Sequence, residues 1–152
     1  MNFIYYNTIR TLKPGHIRYG FMLTEGGVVY DDGVSTRPGQ NRFFISCSSS
    51  HVEGVMLNLE AQRQDGNGTD RIFVHYTTIQ WSTLTLSGPK ARHVLATLGL
   101  VLDISGEAFK HMSFREAVCN STPLRIARVS FTGEVSFEIS LTPSAAPALW
   151  IT

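Results

Sequence analysis

Charge of either sign is scarce in this chain. Lys and Arg total 13, Asp and Glu total 12, and charged residues make up 16% of 152 positions. The formal net charge of +1 gives no general attraction for nucleic acid or for an anionic membrane, so neither is expected as a partner. Cysteine is scarcer still. Cys47 and Cys119 stand too far apart for a zinc or redox motif, and each falls in an expected strand, where a buried free thiol is the usual state. That favours a reducing compartment, and the expected location is cytoplasmic. No apolar run approaches the ~20 residues of a membrane span. The opening Met1-Asn2-Phe3-Ile4-Tyr5-Tyr6 lacks the basic region and apolar core of a signal peptide. Without such a signal, the sequons at Asn67-Gly68-Thr69 and Asn120-Ser121-Thr122 read as chance.

Several chemical signatures are missing too. The histidines at 16, 51, 75, 93 and 111 show no HxH or HExxH spacing, so no metal site is expected. No GxGxxG follows a strand and no GxxxxGK[ST] is present, which leaves no visible site for FAD, NAD or a nucleoside triphosphate. The surroundings of Ser130 form no nucleophile elbow.

What is present suits a packed domain. Hydrophobic residues make up 43% of the chain, and its length fits one domain or part of a larger one. Arg42 to Cys47 reads as a strand. Ser50-His51-Val52-Glu53 reads as a capping box, with the serine at N-cap and the glutamate at N3, opening a helix over 50–63. Val52, Val55, Met56 and Leu59 would form its apolar face, and Asp65-Gly66-Asn67-Gly68 would stop it. Alternation of Ile72, Val74 and Tyr76 predicts a half-buried strand over 71–77, and 81–86 predicts another. A second helix is expected over 89–98, with Pro89 at its first position, Val94, Leu95 and Leu98 inward, and Gly99 after it. A helical turn follows Ser105, then strands near 114–119, 124–130 and 135–141, with turns at 120–123 and 132–134. The pattern β-α-β-β-α-β over 42–130 resembles a ferredoxin-like unit. The expected class is α+β, mostly antiparallel sheets with helices on one side.

The most informative stretch runs from Arg18 to Val34. Two apolar-rich segments flank Glu25-Gly26-Gly27, a hairpin signal, and the second runs into Asp31-Asp32-Gly33. Adjacent carboxylates at a strand end can orient an amine or hold a cation, and their repulsion calls for a compensating donor. Asp-Asp-Gly also serves as a solvated turn.

Five stretches in order carry a resemblance: Leu12-Lys13-Pro14-Gly15 before Arg18-Tyr19-Gly20; Met22-Leu23-Thr24-Glu25 through Val28-Val29-Tyr30-Asp31-Asp32; Gln80-Trp81 to Leu86-Ser87-Gly88-Pro89-Lys90-Ala91; Glu107 to Ser113 before Arg115-Glu116; and Arg128 to Glu134 before Phe137-Glu138-Ile139. Together they resemble the glycine-cleavage T-protein (aminomethyltransferase) superfamily, and more closely the folate-binding region of the alpha subunit of heterotetrameric sarcosine oxidase. The resemblance implies a T-protein folate-binding fold and tetrahydrofolate as cofactor. The implied reaction moves a one-carbon unit from the oxidised amine, an iminium, onto tetrahydrofolate to give 5,10-methylene-tetrahydrofolate. FAD or FMN and NAD would sit only in other domains or subunits. The implied partners are folate, the product of an N-methylated amine and the other subunits of a hetero-oligomeric oxidase. An alternative of another class is a folate-binding regulatory or assembly protein, or an inactive remnant of the same fold, with no transferase activity.

Site residues carry over one by one. Asp32 falls at the family's catalytic acid, which also contacts folate. Glu134 falls at the carboxylate that binds the pterin, whose adjacent N–H donors suit two parallel hydrogen bonds; the other reading is an exposed turn glutamate. Ser46, Ser48 and Ser49 lie where the family is hydroxyl-rich, and Ser48 is the expected contact; the other reading is a strand-to-helix connection and cap. Tyr19, with Arg18, could line the pocket; the other reading is strand residues that serve packing and surface. Asp32 and Glu134 are expected to share one cleft. Asp31 is expected to be a structural or pKa-setting neighbour. Gly33 departs from the T-proteins, which carry a bulky apolar residue there. Residues 1–152 are thus expected to form a single folate-binding T-protein-like domain, a fragment truncated on its C-terminal side, with Ala148-Leu149-Trp150 opening a helix that is cut off.

Overall fold

The structure, a computed structural model, describes residues 4–65 and 71–151. The chain divides into two compact units, Met1–Tyr76 and Thr77–Thr152. All the strand pairings within each unit are antiparallel, and the class is α+β.

The first unit is built on strands β1 (His16–Leu23), β2 (Val29–Gly39) and β3 (Arg42–Cys47), in the order β3-β2-β1. The β1–β2 hairpin closes as the sequence predicts. Gly27 takes φ 78°, and the Thr24 N–H donates to the Val28 carbonyl over 2.8 Å. A left-handed backbone angle of this kind favours glycine. The register shifts between Met22 and Leu23, opposite Asp31 and Val29, so Tyr30 bulges from β2 immediately before the two aspartates. An extra residue bends a strand and re-aims the side chains beyond it.

One face of this sheet carries the core. Met22, Tyr5, Ile9 and Val55 are buried together, with Phe43, Ile45, Cys47 and Leu59 packed beside them. Val55 and Leu59 come from helix α1 (Val52–Asp65), so the expected apolar helix face is the buried one. Its start differs from expectation. Residues Ser49–His51 form a 3-10 turn capped by Ser48, whose side chain makes no capping hydrogen bond. The capping box at Ser50 therefore does not form, because Ser50 already lies inside the turn. The expected stop at 66–68 falls outside the described residues. The expected strand at 71–77 is also absent: these residues join no ladder, and Ile72, Phe73 and Tyr76 are exposed. Alternating polarity alone makes no strand when no partner edge satisfies the backbone. The ferredoxin-like pattern is thus broken at that position.

The second unit holds β4 (Ser82–Ser87), helix α2 (Ala91–Thr97), β5 (Ser113–Cys119), β6 (Thr122–Arg128), β7 (Ser136–Leu141) and helix α3 (Ala146–Trp150). Its strands lie in the order β5-β6-β7-β4. Asn120 and Ser121 turn β5 into β6 with φ of 46° and 67°, the signs a two-residue type I′ turn demands. Leu95 and Ala91 of α2 pack on Phe109, Leu124, Ile126, Phe137, Ile139 and Leu141. Pro89 precedes α2 rather than opening it, since Lys90 is the N-cap. Val94 is exposed rather than inward, while Leu95 and Leu98 face the core. Gly99 follows the helix at φ 62°, as expected. The turn after Ser105 also forms: the Phe109 N–H reaches the Ser105 carbonyl over 2.9 Å. Among the described residues no helix is long and apolar enough to cross a membrane.

Candidate functional site

Strand alternation separates the two aspartates. Asp31 lies opposite Met22, on the core face, and Asp32 lies opposite Phe21, on the other. Asp31 is 3% exposed, whereas Asp32 is open to solvent.

Asp31 has a structural role in this arrangement. Its Oδ1 accepts the Ser48 backbone N–H at 3.2 Å and lies 3.3 Å from His51 Nδ1. Its carboxylate therefore ties β2 to the start of the helical segment. The His51 ring stacks on Tyr30, centroids 5.2 Å apart and planes 12° from parallel. Burial pushes the Tyr5 hydroxyl well above the ordinary phenol range, and the charges of Cys47 and Asp31 push it further. The Cys47 thiol is raised in the same way, by burial first and Asp31 second.

Asp32 looks outward from the opposite face. Phe21 stands across from it, and Tyr19, Val34 and Ser46 lie one row along in mutual register. Tyr19 is 44% and Phe21 46% exposed. Asp32 itself forms no hydrogen bond or ion pair among the described residues, so its acceptor oxygens are available to a ligand. The result is a carboxylate beside two aromatic rings on a rigid sheet face. Aromatic faces can stack on a flat heterocycle, and the carboxylate can accept an N–H or take up a proton.

Gly33 explains the departure from the family pattern. A Cβ there would sit 2.0 Å from the Ser46 carbonyl oxygen, because β3 approaches β2 at its Cys47 partner. No side chain fits.

The other expected residues are placed as follows. Tyr19 and Asp32 share the exposed face, joined by Ser46. Ser48 follows β3, half-buried, and its observed part is the backbone bond to Asp31. Glu134 belongs to the second unit. It is exposed in the loop before β7, after Gly133 at φ 86°, and the Gly133 N–H donates to Ser130 Oγ over 2.9 Å. The sequence reading did not single out Phe21, though its place two residues from Tyr19 on a strand marks the same face. His51 is expected only within the capping box, and nothing local in the sequence pairs it with Asp31, twenty positions away.

An open cleft of about 560 Å³ lies elsewhere in the first unit, between the hairpin tip and α1, lined by residues including Glu25, Tyr30, Asn58 and Gln62. Asp32, Tyr19 and Ser48 do not line it.

Comparison with known proteins gives the family and the fold. The family model for the GCVT N-terminal domain matches residues 1–152. The sarcosine oxidase alpha subunit of Corynebacterium sp. (strain P-1) is 37% identical over 142 residues, covering 93% of this chain and 15% of that protein. The alpha subunit from Rhizobium meliloti (strain 1021) is 34% identical over 143 residues, 93% of this chain and 14% of that protein. An aminomethyltransferase of Streptomyces coelicolor is 27% identical over 150 residues, covering 99% of this chain and 38% of that protein. Among solved structures, the glycine cleavage system aminomethyltransferase T from Bartonella henselae superposes with a TM-score of 0.76 at 28% identity, covering 97% of this chain and 37% of that one. The chain thus spans about 15% of the length of the oxidase subunits it matches. With the family model matching from the first residue to the last, this chain belongs to the GCVT N-terminal domain family, with the aminomethyltransferase T-protein fold.

Proposed function

We propose that this chain is the tetrahydrofolate-binding, aminomethyltransferase-like part of a sarcosine oxidase alpha subunit. In this reading it moves the one-carbon unit of the oxidised amine, an iminium, onto tetrahydrofolate, breaking the carbon's bond to the amine nitrogen and giving 5,10-methylene-tetrahydrofolate and the demethylated amine. One observation carries it: the exposed carboxylate of Asp32 beside the Tyr19 and Phe21 rings. That set suits the group it would hold. The flat pterin is a partner for the rings, and its N–H groups are donors for the carboxylate. Tetrahydrofolate supplies the nucleophilic nitrogen, and Asp32 accepts the proton that nitrogen gives up. Glu134 is a second pterin contact in this proposal. Ser48 acts through its backbone on Asp31, and Asp31 holds the strand from which Asp32 projects. Amine oxidation, flavin and dinucleotide belong to other domains or subunits, and the compartment is cytoplasmic.

The test is a tetrahydrofolate titration followed by intrinsic fluorescence, comparing the unaltered protein with Asp32→Asn and Tyr19→Leu. The proposal expects saturable binding that weakens in both variants. Equal binding by all three would remove the ligand from this face.

A further inference from the structure

Two arginines of the second unit flank one aromatic pair, and neither forms an ion pair among the described residues. Arg92 stands in the first turn of α2, and its guanidinium carbon lies 5.3 Å from the centroid of the Phe137 ring. Arg128 ends β6, and its Nη1 donates to the Phe109 carbonyl over 2.9 Å. Phe109 and Phe137 themselves pack at 5.6 Å, so one aromatic pair supports both side chains. Arg92 Nη1 and Arg128 Nε are buried and have no hydrogen-bond partner.

This arrangement is costly as it stands. A guanidinium keeps its charge at any ordinary pH, so the repulsion between the two cannot be relieved by losing a proton. The direction of the Arg128 pKa agrees: burial lowers it first, and the charge of Arg92 lowers it further. Buried donors left unmatched add a desolvation penalty. A planar or tetrahedral oxyanion would relieve both costs, because a guanidinium presents parallel N–H groups at the spacing of two oxygens.

We propose that Arg92 and Arg128 form an oxyanion-binding site, for a carboxylate or phosphate group, beside the Phe109–Phe137 pair. The site is independent of the folate reading. It is built from different residues. Arg128 is pre-oriented by its bond to the Phe109 carbonyl, while Arg92 is pinned over the ring, so both forks are fixed before the anion arrives.

The test uses the full chain, with inorganic phosphate and acetate as separate probes against chloride at constant ionic strength. The readouts are the side-chain Nε–H resonances of the two arginines in ¹⁵N spectra and the thermal unfolding midpoint. The proposal expects saturable, simultaneous shifts of both resonances and a rise in the midpoint. In Arg92→Gln, affinity should fall at least about tenfold, the cost of one charge-assisted contact. Arg92→Lys keeps the charge without the fork and should fall between the two, which also covers a glutamine variant that does not fold. The stronger of the two probes tells a carboxylate source from a phosphate source. No saturable shift with either probe, or affinity unchanged in both variants, would overturn the site.

Discussion

Asp31 and Asp32 are neighbours in sequence yet point to opposite faces of β2, one opposite Met22 in the core and the other opposite Phe21 in solvent. Two carboxylates that would repel if they shared a side are thereby separated. The division also assigns work. The buried one fixes the strand by accepting from Ser48 and facing His51, and the exposed one is available to a ligand.

Removing the buried carboxylate should be felt in stability first. Asp31→Ala leaves the Ser48 N–H without its acceptor and His51 Nδ1 without its partner, a loss of about 1–3 kcal/mol. Asp31→Asn keeps an acceptor oxygen and should lose less. Denaturant midpoints for both variants check this, and an Asp31→Ala midpoint equal to that of the unaltered protein would contradict it.

The same carboxylate holds up the pKa of Cys47, after burial, which is the larger cause. Asp31→Asn removes a negative charge that disfavours the thiolate. The alkylation rate of Cys47 plotted against pH should therefore move to lower pH in the variant. A curve that stays in place would show that burial alone sets the thiol.

Gly33→Ala should be severe for its size. The added methyl would meet the Ser46 carbonyl at 2.0 Å, and the clash is with backbone, so β2 and β3 must part locally. Overpacking of this kind costs at least about 1–3 kcal/mol. A thermal melt tests it, and a variant melting with the unaltered protein would mean that the strands lie farther apart.

Burial raises the Glu138 carboxyl above the ordinary glutamate range. The folded state then holds that proton more tightly than the unfolded chain. The associated stability is present below the ordinary glutamate value and is lost as pH rises through the raised one. Glu138→Gln, neutral throughout, should therefore melt higher than the unaltered protein near neutral pH, with the advantage shrinking towards about pH 4. A melting difference independent of pH would contradict the assignment.

Much of this fold was legible in local chemistry. Gly27, Gly99 and the Asn120-Ser121 turn sit where their backbone angles are needed, and the inward face of α1 follows its periodicity. The failures share a cause. The capping box at Ser50 and the strand at 71–77 are sound local signals that long-range partners decide. Asp31, seventeen residues away in sequence, takes the Ser48 N–H, and no edge pairs with Ile72 to Tyr76. For the proposed site, the resemblance names Asp32 and Tyr19, and the strand register sets both on one exposed face. The Asp31–His51 pair and the stack on Tyr30 did not follow from the sequence, because nothing at either position announces the other.

The central claim is that Asp32 acts in one-carbon transfer after the amine has been oxidised. The most direct measurement compares Asp32→Ala with the unaltered protein in the complete oxidase of which we propose this chain is a part, assaying amine consumption and 5,10-methylene-tetrahydrofolate formation side by side. Amine consumption should be largely retained. Folate product should fall by about 10²–10⁴-fold, the usual contribution of a general acid–base group, with free formaldehyde appearing in its place. Equal loss of both activities would make Asp32 structural, and loss of neither would leave it a surface strand residue with no part in the transfer.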